Sequence, residues 1–143
     1  MDALEQYIHD HTSPEEELLH ELDRATNLRV VQPRMLSGHI QGRLLEMLVR
    51  MLRPQRILEI GTFTGYSALS MAAGLEEGGE LHTIEVEDEL EELAQSFSTA
   101  ARTARRSGCT SVRHSTSPRR WAWNSTWYSS TGINASIRTT TGC

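Results

Sequence analysis

Between Ile57 and Ser67 the chain reads Ile57-Leu58-Glu59-Ile60-Gly61-Thr62-Phe63-Thr64-Gly65-Tyr66-Ser67. A short apolar run, a turn bracketed by glycines and a stretch of small apolar residues specify a strand, a tight turn and a helix. The helix over Tyr66–Leu75 closes at Gly78-Gly79, and Leu81-His82-Thr83-Ile84-Glu85-Val86 follows as a second strand. Glu87 to Phe97 then reads as a strongly acidic helix. Strand, helix, strand and helix in that order require a crossover between parallel strands, so the fold class is α/β with a parallel sheet.

Upstream, Ser13-Pro14-Glu15-Glu16 reads as a capping box with proline at the first helical position. Leu18, Leu19 and Leu22 recur at helical spacing, which predicts a helix through about Ala25. A connector over 26–36 leads to a second helix beginning near Ser37 or Gly38 and stopped by Pro54. Ile40, Leu44, Leu45, Leu48, Val49 and Leu52 mark its expected buried face.

The glycine turn sits at the carboxyl end of the first strand, where doubly wound sheets bind nucleotides. A dinucleotide site needs a glycine at the middle of this turn so that a pyrophosphate can approach the backbone. Here that position is Phe63 and the last is Tyr66, which argues against a diphosphate. Glu85 follows Gly61 at about the spacing of an acid that accepts ribose hydroxyls. Adenosine without a diphosphate points to S-adenosylmethionine.

The run Ile57–Ala68 resembles motif I of the class I methyltransferases. More narrowly it is similar to the small O-methyltransferases related to catechol and caffeoyl-CoA O-methyltransferases. Pro33-Arg34-Met35-Leu36-Ser37-Gly38-His39-Ile40-Gln41-Gly42 fits that group too, and the resemblance covers roughly residues 15–97. It implies a Rossmann-like methyltransferase fold, incomplete here, with N-terminal helices, the first βαβα unit and an irregular C-terminal segment. It implies that Gly61 and Gly65, with Thr62 and Phe63 between them, let the backbone pass close to the cofactor. By the same resemblance, Glu59 hydrogen-bonds near the amino-acid moiety and Ser67 contacts its carboxylate. Glu85 takes the ribose hydroxyls, Val86 lies against the adenine, and Met35 and Ser37 close over the methionine end. The implied reaction is methyl transfer to a hydroxyl of a small catechol-like or phenolic substrate. A magnesium-like divalent metal and a homodimer are implied for the intact family.

Other constellations carry less. No apolar run approaches the ~20 residues of a membrane span. The acidic start Met1-Asp2-Ala3-Leu4-Glu5 is unlike a secretory leader, so a soluble cytoplasmic protein is the expectation. Cys109 and Cys143 make neither a disulfide framework nor a zinc site. His9, His11, His20, His39 and His82 show no metal spacing, and most read as surface or capping residues. The Glu-rich runs at 15–17 and 87–92 read as solvated helix faces, and Asn124 and Asn134 head glycosylation sequons that mean little without a secretion signal. Arginine pairs at 105–106 and 119–120, with Trp121, Trp123 and Trp127, raise nucleic-acid binding as a minor alternative. A non-catalytic cofactor-binding or interaction module with a basic tail is the principal alternative. A nicotinamide oxidoreductase ranks third, and Phe63 counts against it.

Charge divides the chain sharply. Residues 1–96 carry all nineteen acids and seven arginines, while 97–143 carry seven arginines and no acid. No lysine occurs anywhere. Beyond Phe97 neither a helical face nor strand alternation can be traced, and a third and fourth strand with an acidic metal cluster are not visible in the sequence. Two units are therefore expected: 1–97, the cofactor-binding half, and 98–143, a segment read out of frame after loss of one nucleotide near codon 97. In the restored frame the first base of each displayed codon becomes the second base of the true codon, which largely fixes polarity. One consistent choice for Asn124–Ile133 reads back as E-F-D-L-V-F-I-D-G-D, a buried strand ending in paired aspartates. The chain as written then lacks the metal acids and a recognisable base, and little or no activity is expected of it.

Overall fold

A computed structural model describes residues 2–104, together with the backbone of two strands at 111–115 and 126–130. The order is α1 (Ala3–Asp10), α2 (Glu17–Arg29), α3 (Gly38–Leu52), β1 (Arg56–Ile60), α4 (Tyr66–Gly74), β2 (Glu80–Ile84), α5 (Glu91–Ala104), β3 (Ser111–Ser115) and β4 (Thr126–Ser130). All pairings are parallel, in the order β3-β2-β1-β4. The chain winds outward from β1 through β2 to β3 and returns to the other side of β1 with β4. The carboxyl end of β1 therefore lies at a topological switch point, where open α/β sheets form a crevice.

Central strands covered on both faces read as continuous apolar runs. β1 follows that rule at Ile57 and Leu58 and departs from it at Glu59, and all three are buried, in register with Leu81, His82 and Thr83 of β2. Against the sheet pack Leu45 and Val49 of α3 with Ala68, Met71 and Ala72 of α4. A second cluster joins Leu19 and Leu22 of α2 to Tyr66 and Leu69 of α4, with Phe97 and Ala101 of α5 alongside. The helix after the glycine turn is thus buried between the sheet and three other helices, which fixes its first turn.

Glycine lets α3 and α4 touch. A Cβ on Gly42 would stand 2.7 Å from Ser70 Oγ and 2.8 Å from a Tyr66 ring carbon, and one on Gly74 would stand 2.6 Å from the Glu46 carbonyl oxygen. That approach rotates α3 relative to the face expected from its leucines. The buried residues are Gly42, Leu45, Glu46 and Val49, whereas Ile40, Leu44 and Leu52 are exposed. Glu46 tolerates burial because Arg43 Nη1 donates to it at 2.6 Å and Arg50 Nη2 at 2.7 Å.

Other boundaries also differ. No side chain of the expected capping box caps α2, which starts at Glu17 and runs to Arg29 rather than Ala25. Glu15 is recruited instead by Tyr66, whose hydroxyl donates to it, and by His20 at 3.2 Å. The capping box that does form is Asp2 with Glu5, at the start of α1. β2 stops at Ile84, and a 3-10 turn over Asp88–Leu90 precedes α5, whose first turn carries Glu91 and Glu92 where a helix dipole favours acids. α5 continues past Phe97 to Ala104, and β3 and β4 add regular structure that the sequence pattern did not reveal. Both cysteines, Asn124, Asn134, the two arginine pairs, Trp121 and Trp123 lie outside the described residues. Among the described residues no helix is long and apolar enough to cross a membrane.

Candidate functional site

The site grows from the turn after β1. Gly61 adopts φ +93° and Gly65 φ +94°, left-handed values that a side chain would strain. The Gly61 amide donates to the Ile84 carbonyl at 2.9 Å, and the Gly65 amide closes the turn on the Thr62 carbonyl at 2.9 Å. Phe63, between them, is also left-handed at φ +52°, a conformation uncommon for a bulky residue. Its amide donates to Glu85 Oε2 at 2.6 Å, which holds the turn against the end of β2. Glu85 Oε1 accepts from the Val86 amide at 2.6 Å and the Glu87 amide at 3.1 Å, so this carboxylate also ends the strand.

Behind the turn lies a buried polar chain. Ser67 Oγ donates to Glu59 Oε1 at 2.6 Å, and Thr83 Oγ1 donates to Glu59 Oε2 at 2.7 Å. Thr62 Oγ1 stands 2.5 Å from Thr83 Oγ1. A second pair secures the turn from the other side. Thr26 Oγ1 donates to the Leu22 carbonyl at 2.8 Å and lies 3.0 Å from Thr64 Oγ1. The first intrahelical bond of α4 runs from the Leu69 amide to the Gly65 carbonyl, so the amides of residues 66–68 lie ahead of it in the first turn.

The Tyr66 hydroxyl is pushed well above the ordinary tyrosine range, first by burial and then by the Glu15 carboxylate that accepts its hydrogen bond. For Glu46 burial is the largest influence and acts upward. The hydrogen bonds and charges of Arg50 and Arg43 outweigh it and hold the carboxyl below its usual value.

The ten sequence-predicted residues fall into three groups. Glu59, Gly61, Thr62, Phe63, Gly65, Ser67 and Glu85 form one hydrogen-bonded unit around the turn. Met35, at the end of a 3-10 turn over Pro33–Met35, shares with Phe63 the wall of a cavity of about 490 Å³ between α2 and α5. Arg29, Gln32, Leu90 and Leu93 line it as well. Val86 is exposed beyond Glu85, and Ser37 precedes α3 without capping it. Sequence reasoning missed Thr83 and the Tyr66–Glu15 bond. A lone threonine inside a strand gives no periodic signal, and residues 15 and 66 meet only through packing of α2 on α4. The His9 and His39 rings stand 5.5 Å apart, and His82 is buried within β2 rather than on the surface. Among the described residues no group of three or more His, Cys, Asp or Glu side chains forms a metal cluster.

A parallel sheet with a switch point, a glycine turn at the end of its first strand and an acid just past its second define a Rossmann-like nucleotide-binding architecture. The chain belongs to the O-methyltransferase family, whose model matches residues 9–116. It is 39% identical over 87 residues to a caffeoyl-CoA O-methyltransferase of Populus kitakamiensis, covering 59% of this chain and 37% of that protein. An O-methyltransferase from Bacillus cereus, solved in complex with SAH, superimposes with a TM-score of 0.62 at 32% identity, over 78% of this chain and 49% of that one. The O-methyltransferase TomG from Streptomyces achromogenes, solved in complex with SAM, gives a TM-score of 0.66 at 32% identity, over 79% and 49%. The chain thus spans about half or less of the length of these proteins.

Proposed function

We propose that this chain is the S-adenosylmethionine-binding half of an O-methyltransferase acting on a hydroxyl of a small catechol-like or phenolic molecule. The observation that carries this reading is the turn itself. Its left-handed glycines open the backbone at the switch point, and Phe63 stands where a diphosphate would need glycine. The 32% identity to two enzymes solved with SAH and SAM supports the same ligand. In this reading the turn Gly61–Gly65 passes beneath the cofactor, with Thr62 and Phe63 shaping it. Glu59 and Ser67 serve the amino-acid end, Glu85 the ribose, Val86 the adenine, and Met35 and Ser37 the approach to the methionine end. The cofactor supplies an electrophilic methyl group, and the chain's residues supply binding and orientation. The divalent metal implied by the family resemblance finds no donor cluster among the described residues.

The proposal extends to the charge seam. Residues after about 97 are read as out of frame, and the chain as it stands has little or no transferase activity. In support, β4 at Thr126–Ser130 lies beside β1 where the back-read apolar strand would belong. Titration calorimetry with S-adenosylmethionine tests the binding half of this reading, and saturable binding is expected. A transferase assay with magnesium and a catechol panel should show no turnover for this chain, and turnover above background would refute the inactivity. The coding sequence decides the frame, since a region past codon 97 with no family-like reading in either alternative frame would sink that proposal.

A further inference from the structure

Leu19, Leu22 and Thr26 are the buried residues of α2, spaced to share one face of the helix. The two leucines pack on Tyr66 and Leu69 of α4, so apolar contact already holds α2 in place. Thr26 is different. It is 0% exposed, and so is Thr64, the hydroxyl it meets in the glycine turn. Valine in either position would fill nearly the same space without burying a hydroxyl, and the bond between the two offsets that cost. The pair therefore adds what packing does not, a directional tie between the far end of α2 and the turn.

That tie joins two pieces of chain that meet at the cavity of about 490 Å³. The Thr26 carbonyl accepts from the Val30 amide at 3.0 Å, the bond that ends α2. Arg29, Val30 and Gln32 line the cavity there, as does Met35, whose amide closes on the Gln32 carbonyl at 3.1 Å. The Thr26 hydroxyl stands 3.0 Å from Thr64 Oγ1, and its bond to the Leu22 carbonyl at 2.8 Å keeps the side chain in one orientation. Thr64 follows Phe63, which also lines the cavity and is held to Glu85 through its amide at 2.6 Å. One residue thus holds the 29–35 segment by its backbone and the glycine turn by its side chain. A cleft whose sides are already fixed to each other binds without the cost of ordering them.

We infer that Thr26 is a positioning residue for the bound cofactor, which rests on the S-adenosylmethionine reading above. Buried and out of reach of the ligand, it sets the separation between the 29–35 segment and the glycine turn. Thr26→Val keeps the shape and breaks the tie, but strands the Thr64 hydroxyl in a dry site. Thr26→Val combined with Thr64→Val breaks the same tie and strands nothing, because replacing both partners of a buried pair by apolar groups of the same shape is nearly neutral for stability. The two variants separate a loss of stability from a loss of positioning.

Thermal unfolding of the ligand-free full chain and calorimetry with S-adenosylmethionine, run side by side, test it. Thr26→Val is expected to lower the thermal midpoint and to weaken binding about tenfold. The double variant should regain most of the midpoint yet remain about tenfold weaker, and Thr26→Ser, which keeps the hydroxyl, should bind within about twofold of wild type. A double variant that regains affinity together with stability would mark a merely structural role and overturn the inference. So would unchanged affinity in Thr26→Val, or a Thr26→Ser variant as weak as Thr26→Val. Should Thr26→Val not fold, the double variant carries the test, with the same weakening expected and wild-type affinity overturning it. Wild-type chain that does not bind S-adenosylmethionine refutes the cofactor reading itself, and the inference falls with it. Wild-type binding that both valine variants leave unchanged refutes only the inference.

Discussion

Replacing Glu85 with alanine removes a side chain that fastens the glycine turn to the end of β2. Three amides lose an acceptor: Phe63 at 2.6 Å, Val86 at 2.6 Å and Glu87 at 3.1 Å. Val86 and Glu87 are exposed, so water replaces the carboxylate there at little cost. The Phe63 amide is partly buried and belongs to a residue at φ +52°, so its bond is the one that matters. A hydrogen bond to a charged group contributes about 1.5–3 kcal/mol, and partial access of water places this one near about 2 kcal/mol. For a domain of this size that lowers the thermal midpoint by roughly 4–8 °C. Denaturant titration should show a lower midpoint with an unchanged slope, since the loss is local and the surface exposed on unfolding stays the same. Glu85→Gln keeps an acceptor oxygen in nearly the same place and should recover about half of the loss. An Ala variant as stable as wild type, or a Gln variant as unstable as Ala, would refute the idea that Glu85 locks the turn.

Gly74→Ala gains about 1 kcal/mol of helix propensity but forces its new Cβ to 2.6 Å from the Glu46 carbonyl oxygen and 3.0 Å from Val49 Cβ. Overpacking against backbone costs about 1–3 kcal/mol, so a net loss is expected by denaturant titration, and a more stable variant would contradict the α3–α4 contact. Tyr66→Phe should cost about 1.5 kcal/mol through loss of the bond to Glu15. Because the folded tyrosine titrates above its unfolded value, its contribution is present below about pH 10 and is lost as pH rises further. Removing the hydroxyl should therefore flatten the alkaline decline in stability. For Glu46 the sign reverses. Its folded value is lowered, so its contribution is present above about pH 4.3 and is lost as pH falls through the folded value. Glu46→Gln should show a shallower fall in stability below that pH, and an unchanged acid limb would refute the role of the Arg43 and Arg50 pairs.

The parallel α/β class, the elements from α2 to α5 and the turn that defines the site are legible in the sequence because each rests on local rules. Ile57, Leu58 and Ile60 are apolar because a covered strand needs no polar face, with Glu59 the exception among them, and Gly61 and Gly65 sit where left-handed backbone closes the turn. The charge seam after Glu92 is likewise a property of the string of residues alone. What the sequence left undecided depends on pairs far apart in the chain. Which face of α3 is buried was settled by Gly42 and Gly74, which draw two helices together and turn Ile40 and Leu44 outward. Glu15 reads only as part of a solvated acidic run until α2 packs on α4 and delivers it to Tyr66. Phe63 gives no sign in the sequence of its left-handed geometry, which stands because Glu85 accepts from its amide across the strand ends. Thr83 becomes part of the site only once β2 pairs with β1 and sets its hydroxyl against Glu59. Backbone propensity and apolar period act over a few residues, so sequence alone determined the turn and the elements from α2 to α5, but not β3 and β4. Hydrogen bonds between buried side chains need partners that only the packed sheet and helices bring within reach, and so the inner network of the site was decided by the tertiary structure.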